Sequence, residues 1–347
     1  MKWARQTTSA LGMFLVVTSV AACGAPAAAP AGDAAAGAAA AGTAAAAPQG
    51  KPNTVTAVKV DAASLDAAAD YWAKAPVTAV PTKATKEGEP DGPAVNLQAV
   101  YDNSNLAVRL EWADSSQSDM NKAWTWDGEK FTRSKELGDR MGLLFAMENN
   151  PEFASKGCAT ACHNADADPA KWWMGAEDAA VHYDLWQWTA ASTNPVGQAQ
   201  DEIINVLEDP AEVESATHGD ALESGGSLSN VNEAKDGPLY MSGADVGASF
   251  IITGEQVPID TSKLANGAQI PPSVLAPWVG SRGDVQAQGT WQDGKWVVVL
   301  MRALDTGHDD DLAMTPPKPY PFGVAVFDHI DLEGHTTSPE ALTLEWQ

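Results

Sequence analysis

Apolar and polar residues alternate over strand-like lengths in three early stretches, Val55–Val60, Ala94–Tyr101 and Leu106–Trp112. Successive side chains of a strand point to opposite faces, so this period of two predicts strands with one buried face. Asp102-Asn103-Ser104-Asn105 separates the last two stretches and reads as a turn. Met141–Met147 is continuously apolar and predicts a buried strand. Further on, Gly289-Thr290-Trp291 and Lys295–Met301 flank Asp293-Gly294, the strongest hairpin signal in the chain, and Phe322–Phe327 and Leu342–Trp346 read as closing strands. Helical patterns are confined to insertions: Asp201–Leu207, after the Asn194-Pro195 turn, and part of Asp61–Lys74. Strands in succession with few helices predict an all-β fold, an antiparallel β-sandwich with long functional loops at about 113–140 and 148–250.

Composition divides the chain before that pattern begins. Residues 1–22 carry Lys2 and Arg5, then the short apolar run Leu11–Val17, then small residues up to Ala22, the layout of an export signal. Small residues directly before Cys23 resemble a bacterial lipoprotein processing site, which implies cleavage there and lipidation of that thiol. Residues 23–50 are nearly all Ala, Gly and Pro and read as a disordered tether. Residues 51–347 are then the functional domain. The expected location is outside the cytoplasm, on a membrane, held by the lipid alone. Formal net charge is −25, and losing Lys2 and Arg5 with the signal takes it to −27. Such a surface repels nucleic acid and favours protein partners with basic docking patches.

With Cys23 committed to lipid, two of the three cysteines remain, both in Gly157-Cys158-Ala159-Thr160-Ala161-Cys162-His163. A thiol pair followed at once by histidine is the arrangement that attaches haem covalently. The thiols add to the porphyrin vinyl groups, and the adjacent imidazole binds iron from one side. The spacing here is one residue wider than the usual Cys-x-x-Cys-His; on a helix, thiols four apart share a face. A local disulfide between Cys158 and Cys162 is an alternative in an exported protein. A zinc or copper site is another, with only His182 close in sequence as a further ligand. Thirteen tryptophans are many for this length, and Trp172, Trp173, Trp186 and Trp188 cluster beside the motif. Large rings could wall a flat apolar cofactor or simply anchor loops to the core.

Ala99-Val100-Tyr101-Asp102 through Leu110-Glu111-Trp112-Ala113-Asp114, then Asp139-Arg140-Met141, Asp184-Leu185-Trp186-Gln187-Trp188 and Thr193-Asn194-Pro195-Val196-Gly197 form an ordered series of short motifs. It continues with Gly283-Asp284-Val285, Trp291, Gly294, Trp296, Arg302 and Leu304-Asp305-Thr306, and ends at Phe322–Asp328. The series resembles the haem-binding domain of the gamma subunits of ethylbenzene dehydrogenase and dimethylsulfide dehydrogenase and related periplasmic c-type cytochromes. The resemblance implies a β-sandwich holding one haem between loops as an electron relay. Family dehydrogenase subunits hold a non-covalent haem b between Met and Lys; here Cys158, Cys162 and His163 imply covalent haem c, with His163 as proximal iron ligand. For the distal ligand the sequence offers Met241, the first choice because it lies in a Gly/Pro-bounded loop, then Met174, with His182 a third option.

Three functions follow as expectations. The first is an exported, lipid-anchored, single-haem electron carrier, not an enzyme. The second is a haem-binding gamma-like subunit of a molybdenum oxidoreductase. The third, of another class, is a carbohydrate-binding sandwich, with Trp124 and Trp126 stacking on sugars. Outside these, His308-Asp309-Asp310-Asp311 lacks the spaced oxygen ligands of a calcium loop and reads as a solvated turn, as do Asp114 and Asp119. No Gly-rich phosphate loop or nucleophile elbow is present.

Overall fold

A computed structural model describes residues 47–148, 150–163, 173–176, 179–206, 217–330 and 334–347. The expected signal, Cys23 and most of the tether lie outside these residues, as does Trp172. The alternating stretches do form strands: β1 (Thr54–Lys59), β2 (Val95–Tyr101) and β3 (Asn105–Ala113). They are followed by β4 (Arg140–Ala146), β5 (Tyr183–Thr189), β6 (Gln200–Ile204) and β7 (Thr217–Gly219). The chain ends with β8 (Gln286–Gln292), β9 (Lys295–Ala303), β10 (Tyr320–Phe327) and β11 (Leu342–Trp346). One large sheet joins them in the order β7-β6-β5-β4-β10-β11-β1-β2-β3-β9-β8.

The sheet curls over so that its two halves face each other, the sandwich that the pattern predicts. Inward residues alternate along each strand: Met141, Leu143 and Phe145 from β4, Trp186 and Trp188 from β5, Leu106, Val108, Leu110 and Trp112 from β3, and Trp296, Val298 and Leu300 from β9 share one core. Trp188 packs edge-on against Trp112 and Trp296 across the two halves, ring centroids 6.2 and 5.0 Å apart. Such pairs add roughly 0.5–1.5 kcal/mol each beyond the area they bury. Beside them the Asn194–Val196 turn fastens the curl. Asn194 Oδ1 accepts from Gly289 N of β8 at 2.7 Å and from Trp188 Nε1 at 3.2 Å. Most pairings are antiparallel, but β1 runs parallel to both its neighbours, β11 and β2. The Asp293-Gly294 hairpin between β8 and β9 forms as expected, both residues at positive φ (54° and 77°).

Two expected helices are not formed. The stretch expected as helix Asp201–Leu207 begins instead with strand β6. Asp201 points inward to an arginine and Ile204 packs outward against the layer carrying Cys158, so both faces of the segment are buried. Burial of two opposite faces suits the period of a strand and overrides helix propensity. In Asp61–Lys74 only a single 3-10 turn, Asp70–Ala73, forms, pinning Trp72 in a small outer cluster.

The reading of His308–Asp311 as a solvated turn is corrected. Asp309 is exposed, but Asp311 is buried and accepts from Arg302 Nη1 at 3.2 Å. The same nitrogen meets Asp184 at 2.8 Å and Asp201 at 3.1 Å, and Nη2 donates to Leu312 O at 2.8 Å. These groups close the end of the core where β9 finishes and β5 starts. Burial holds the Asp184 and Asp201 carboxyls above their ordinary pKa, against the pull of Arg302. Burying a charge without such pairing would cost several kcal/mol.

Candidate functional site

The thiol motif is laid on the outside of the sandwich. Outward residues Leu144 and Ala146 of β4, Tyr183 and Leu185 of β5 and Ile204 of β6 form an apolar surface. Helix α1 (Pro151–Lys156) caps it: Asn150 Oδ1 accepts from Glu152 N and Phe153 N, Pro151 opens the first turn, and Phe153 is fully buried. A 3-10 turn, Gly157–Ala161, carries Cys158 into the same layer. Cys162 is already extended (φ −103°, ψ 124°), so the two thiols do not share one helical face. Both are free thiols, not joined to each other. Burial, with Cys162 beside it, pushes the Cys158 thiol up to about 12; burial pushes Cys162 up to about 11. Cys158 Sγ lies 2.4 Å from where a Cβ on Gly323 of β10 would stand, so the sulfur faces sheet backbone.

Of the other expected haem neighbours, Trp173 and Met174 lie beside the motif and Trp186, Met241 and His182 point elsewhere. Cys162-His163 pairs antiparallel with Trp173-Met174, setting Met174 opposite Cys162 and Trp173 opposite His163. Trp186 points into the core, on the far face of the sheet from Cys158, beneath the Arg302 guanidinium at 4.7 Å. Met241 belongs to a different cluster, with Trp124 and Ile270, where its sulfur accepts from Asp260 N at 3.4 Å. His182 Nδ1 is 2.9 Å from Glu148 Oε1. Trp124, expected to be exposed, is 4 % exposed, with Nε1 donating to Asn230 O and Arg133 over its ring. Trp126 packs against Phe131, ring centroids 4.8 Å apart.

A cleft opens at the end of the sandwich opposite Arg302, where β3 and β10 finish and β4 begins. It has a volume of about 280 Å³ and is lined by Ser116, Gln117, Ser118, Asp119, Met120, Ala123, Ser134, Glu136, Leu137, Gln269 and His329. Asp139 organises its floor. It is 1 % exposed; Oδ2 accepts from Ser118 N at 2.8 Å and Trp296 Nε1 at 3.0 Å, and Oδ1 accepts from His329 N at 3.1 Å. Burial, reinforced by Asp114, raises the Asp139 carboxyl to about 6. Asp114, read as solvated, is buried: Oδ1 accepts from Ser116 N and Oδ2 has no partner. Burial raises its pKa as well. Asp119 lines the cleft, half-buried. No lysine or arginine is among the lining residues, and His329 is paired with Asp328 at 2.6 Å, so the site offers mainly acceptors and small donors. Sequence reasoning missed Asp139; the available signal was its place in the motif Asp139-Arg140-Met141.

No curated protein matches the chain. Similar solved structures include a protein of Bacteroides uniformis described as carbohydrate-binding, 9% identical, with a TM-score of 0.36 over 86% of this chain and 100% of that one. A family 9 carbohydrate-binding module from Caldicellulosiruptor kristjanssonii is also similar. In its complex with glucose it is 8% identical, with a TM-score of 0.34 over 86% of this chain and 96% of that one. In its complex with cellotriose the identity is 7% and the TM-score 0.34, over 86% and 94% of the two chains. The expectation of a single-haem c-type electron carrier is corrected here. Within this chain Cys158 packs against sheet backbone while Met241 lies in a separate cluster, so the expected ligands do not converge on one site. What the ordered motifs promised about ancestry does hold: the ethylbenzene dehydrogenase family model matches residues 69–337, most of the chain, and the protein belongs to that family.

Proposed function

We propose that this chain is a non-catalytic binding module for a neutral, polyhydroxylated ligand of the carbohydrate class, seated in the cleft above Asp139. The observation that carries the reading is the lining: hydroxyls of Ser116, Ser118 and Ser134, amides of Gln117 and Gln269 and carboxylates of Asp119 and Glu136 around small apolar patches, without a lysine or arginine. Sugars are recognised by such convergent donors and acceptors beside apolar surface. Each hydrogen bond contributes roughly 0.5–1.5 kcal/mol, about 2- to 10-fold in affinity. Titration calorimetry against soluble glucans and xylans tests this. Binding that weakens about 2- to 10-fold in Gln117→Ala and again in Asp119→Ala supports it; no heat with any glycan overturns it.

The family match supports a second reading, in which the fold holds a haem b non-covalently as part of a larger oxidoreductase. The described arrangement accommodates covalent attachment only if Cys158 leaves its contact with Gly323. A pyridine haemochrome spectrum of the purified full chain tests it, a colourless protein ending the reading. We also propose export, with lipidation at Cys23 and docking of basic protein partners on the acidic surface. Palmitate labelling that disappears in Cys23→Ser checks the anchor. No helix among the described residues is long and apolar enough to cross a membrane.

A further inference from the structure

At the Arg302 end of the sandwich, carboxylates outnumber the cation that serves them. Arg302 is committed to Asp184, Asp201, Asp311 and the Leu312 carbonyl. Asp220, which directly follows β7, stands outside that set. It is 4 % exposed, and neither carboxylate oxygen has a hydrogen-bond partner. An unpaired buried carboxylate is costly, because water has been removed and nothing has replaced it. Its nearest charged neighbours add to the difficulty: Asp310 and Asp311 each place an oxygen so that the three ligand atoms lie within 4.8 Å of one another. Arg282, the next guanidinium, lies against Gly219, and its charge acts on Glu202.

We infer that Asp220, Asp310 and Asp311 bind a hard divalent cation of the calcium class. Calcium takes six to eight oxygen ligands at about 2.3–2.6 Å, so two oxygens on one ion stand no more than about 5 Å apart, and this trio satisfies that limit. Asp310 is oriented by Ser281, whose Oγ donates to its Oδ1 at 3.0 Å. Asp311 Oδ1 is anchored by Arg302 and Oδ2 by Thr306. The free oxygens of Asp220 supply what the anchored pair lacks. Without a cation, burial and repulsion from Asp310 and Asp311 lift the Asp220 carboxyl to about 8. A bound cation reverses that preference and keeps the carboxylate ionised at neutral pH. The consecutive acids 309–311 do not resemble a calcium loop because the third ligand arrives from 90 residues earlier in the chain.

The test uses the full chain, stripped with EGTA, in 0.15 M salt without glycan. Calorimetry and Tb³⁺ luminescence with the metal alone should show one site, and millimolar Ca²⁺ should raise Tm. Asp220→Asn, and separately the half-buried Asp310→Asn, should weaken binding at least 10-fold and remove the Tm rise. Exposed Asp309→Asn should leave both unchanged. Absence of stoichiometric binding by the folded chain overturns the inference. So does equal binding by Asp220→Asn and Asp310→Asn, or a stripped Asp220→Asn chain that gains stability while the parent ignores Ca²⁺, the behaviour of a merely protonated acid. Because no sugar enters the experiment, its outcome is separate from that of the cleft.

Discussion

Gly323 shows how one missing methyl group decides a site. A Cβ there would stand 2.4 Å from Cys158 Sγ, far inside contact distance. Gly323→Ala should therefore cost about 1–3 kcal/mol in urea unfolding, and Cys158→Ala in the same chain should restore much of it by removing the sulfur. The buried thiols, raised to about 12 and 11, should react slowly with a disulfide reagent in the native chain at pH 8 and rapidly once unfolded. Asp139 carries a pH signature. Its folded carboxyl titrates near 6 against an ordinary value of 3.8, so the folded state keeps a proton that the unfolded chain releases. Its contribution to stability falls as pH rises from about 4 to 6. Asp139→Asn should flatten the dependence of Tm on pH across that window. The Cys158/Cys162 spacing was legible in the sequence, but its orientation was not: nothing local says that Gly323, 165 residues later, presents bare backbone to the sulfur.

Strands whose pattern answers to a single environment were readable in advance. β2 and β3 alternate because one face meets the core, and β9 follows a turn whose sequence demands positive φ. Gly294→Ala, forced to φ 77°, should cost about 1–2 kcal/mol and shift the urea midpoint without changing the slope. β6 was misread for the converse reason. Gln200–Ile204 serves two environments, Asp201 turned to Arg302 and Ile204 to the outer apolar layer, and a polar inward residue erases the alternation. β5 was likewise hidden as a strand, although its Trp186 and Trp188 were noticed as a cluster. They face the core, while Leu185 just before them faces the thiol layer. The loop at about 113–140 was marked in advance as functional, but the cleft it walls was not, because Gln269 and His329 join it from distant parts of the chain and only the fold brings them together.

Across the whole molecule, the curled sheet places two polar ends on one apolar body, the Asp139 floor at one and the Arg302 cluster at the other. From Trp296 to Arg302 along β9 is about 20 Å at the rise of a strand, so the ends act through separate chemistry. The charge of −25 should show in association: attachment to a basic partner is expected to slow markedly between 0.05 and 0.5 M salt, as measured by stopped flow. Deleting residues 342–347 removes Leu342 and Leu344 from the core and bares β1 and β10; the truncated chain is expected to lose cooperative unfolding by calorimetry. That deletion exposes what the parallel joint of β1 and β11 entails. Thr54 lies opposite Thr343, so the seam at the centre of the sheet joins the first and last of these eleven strands. A chain leaving the ribosome cannot close that seam until β11 is out. Until then β1 and β10 each keep an unpaired edge open to proteases and chaperones, and the pace of folding is set by the arrival of β11.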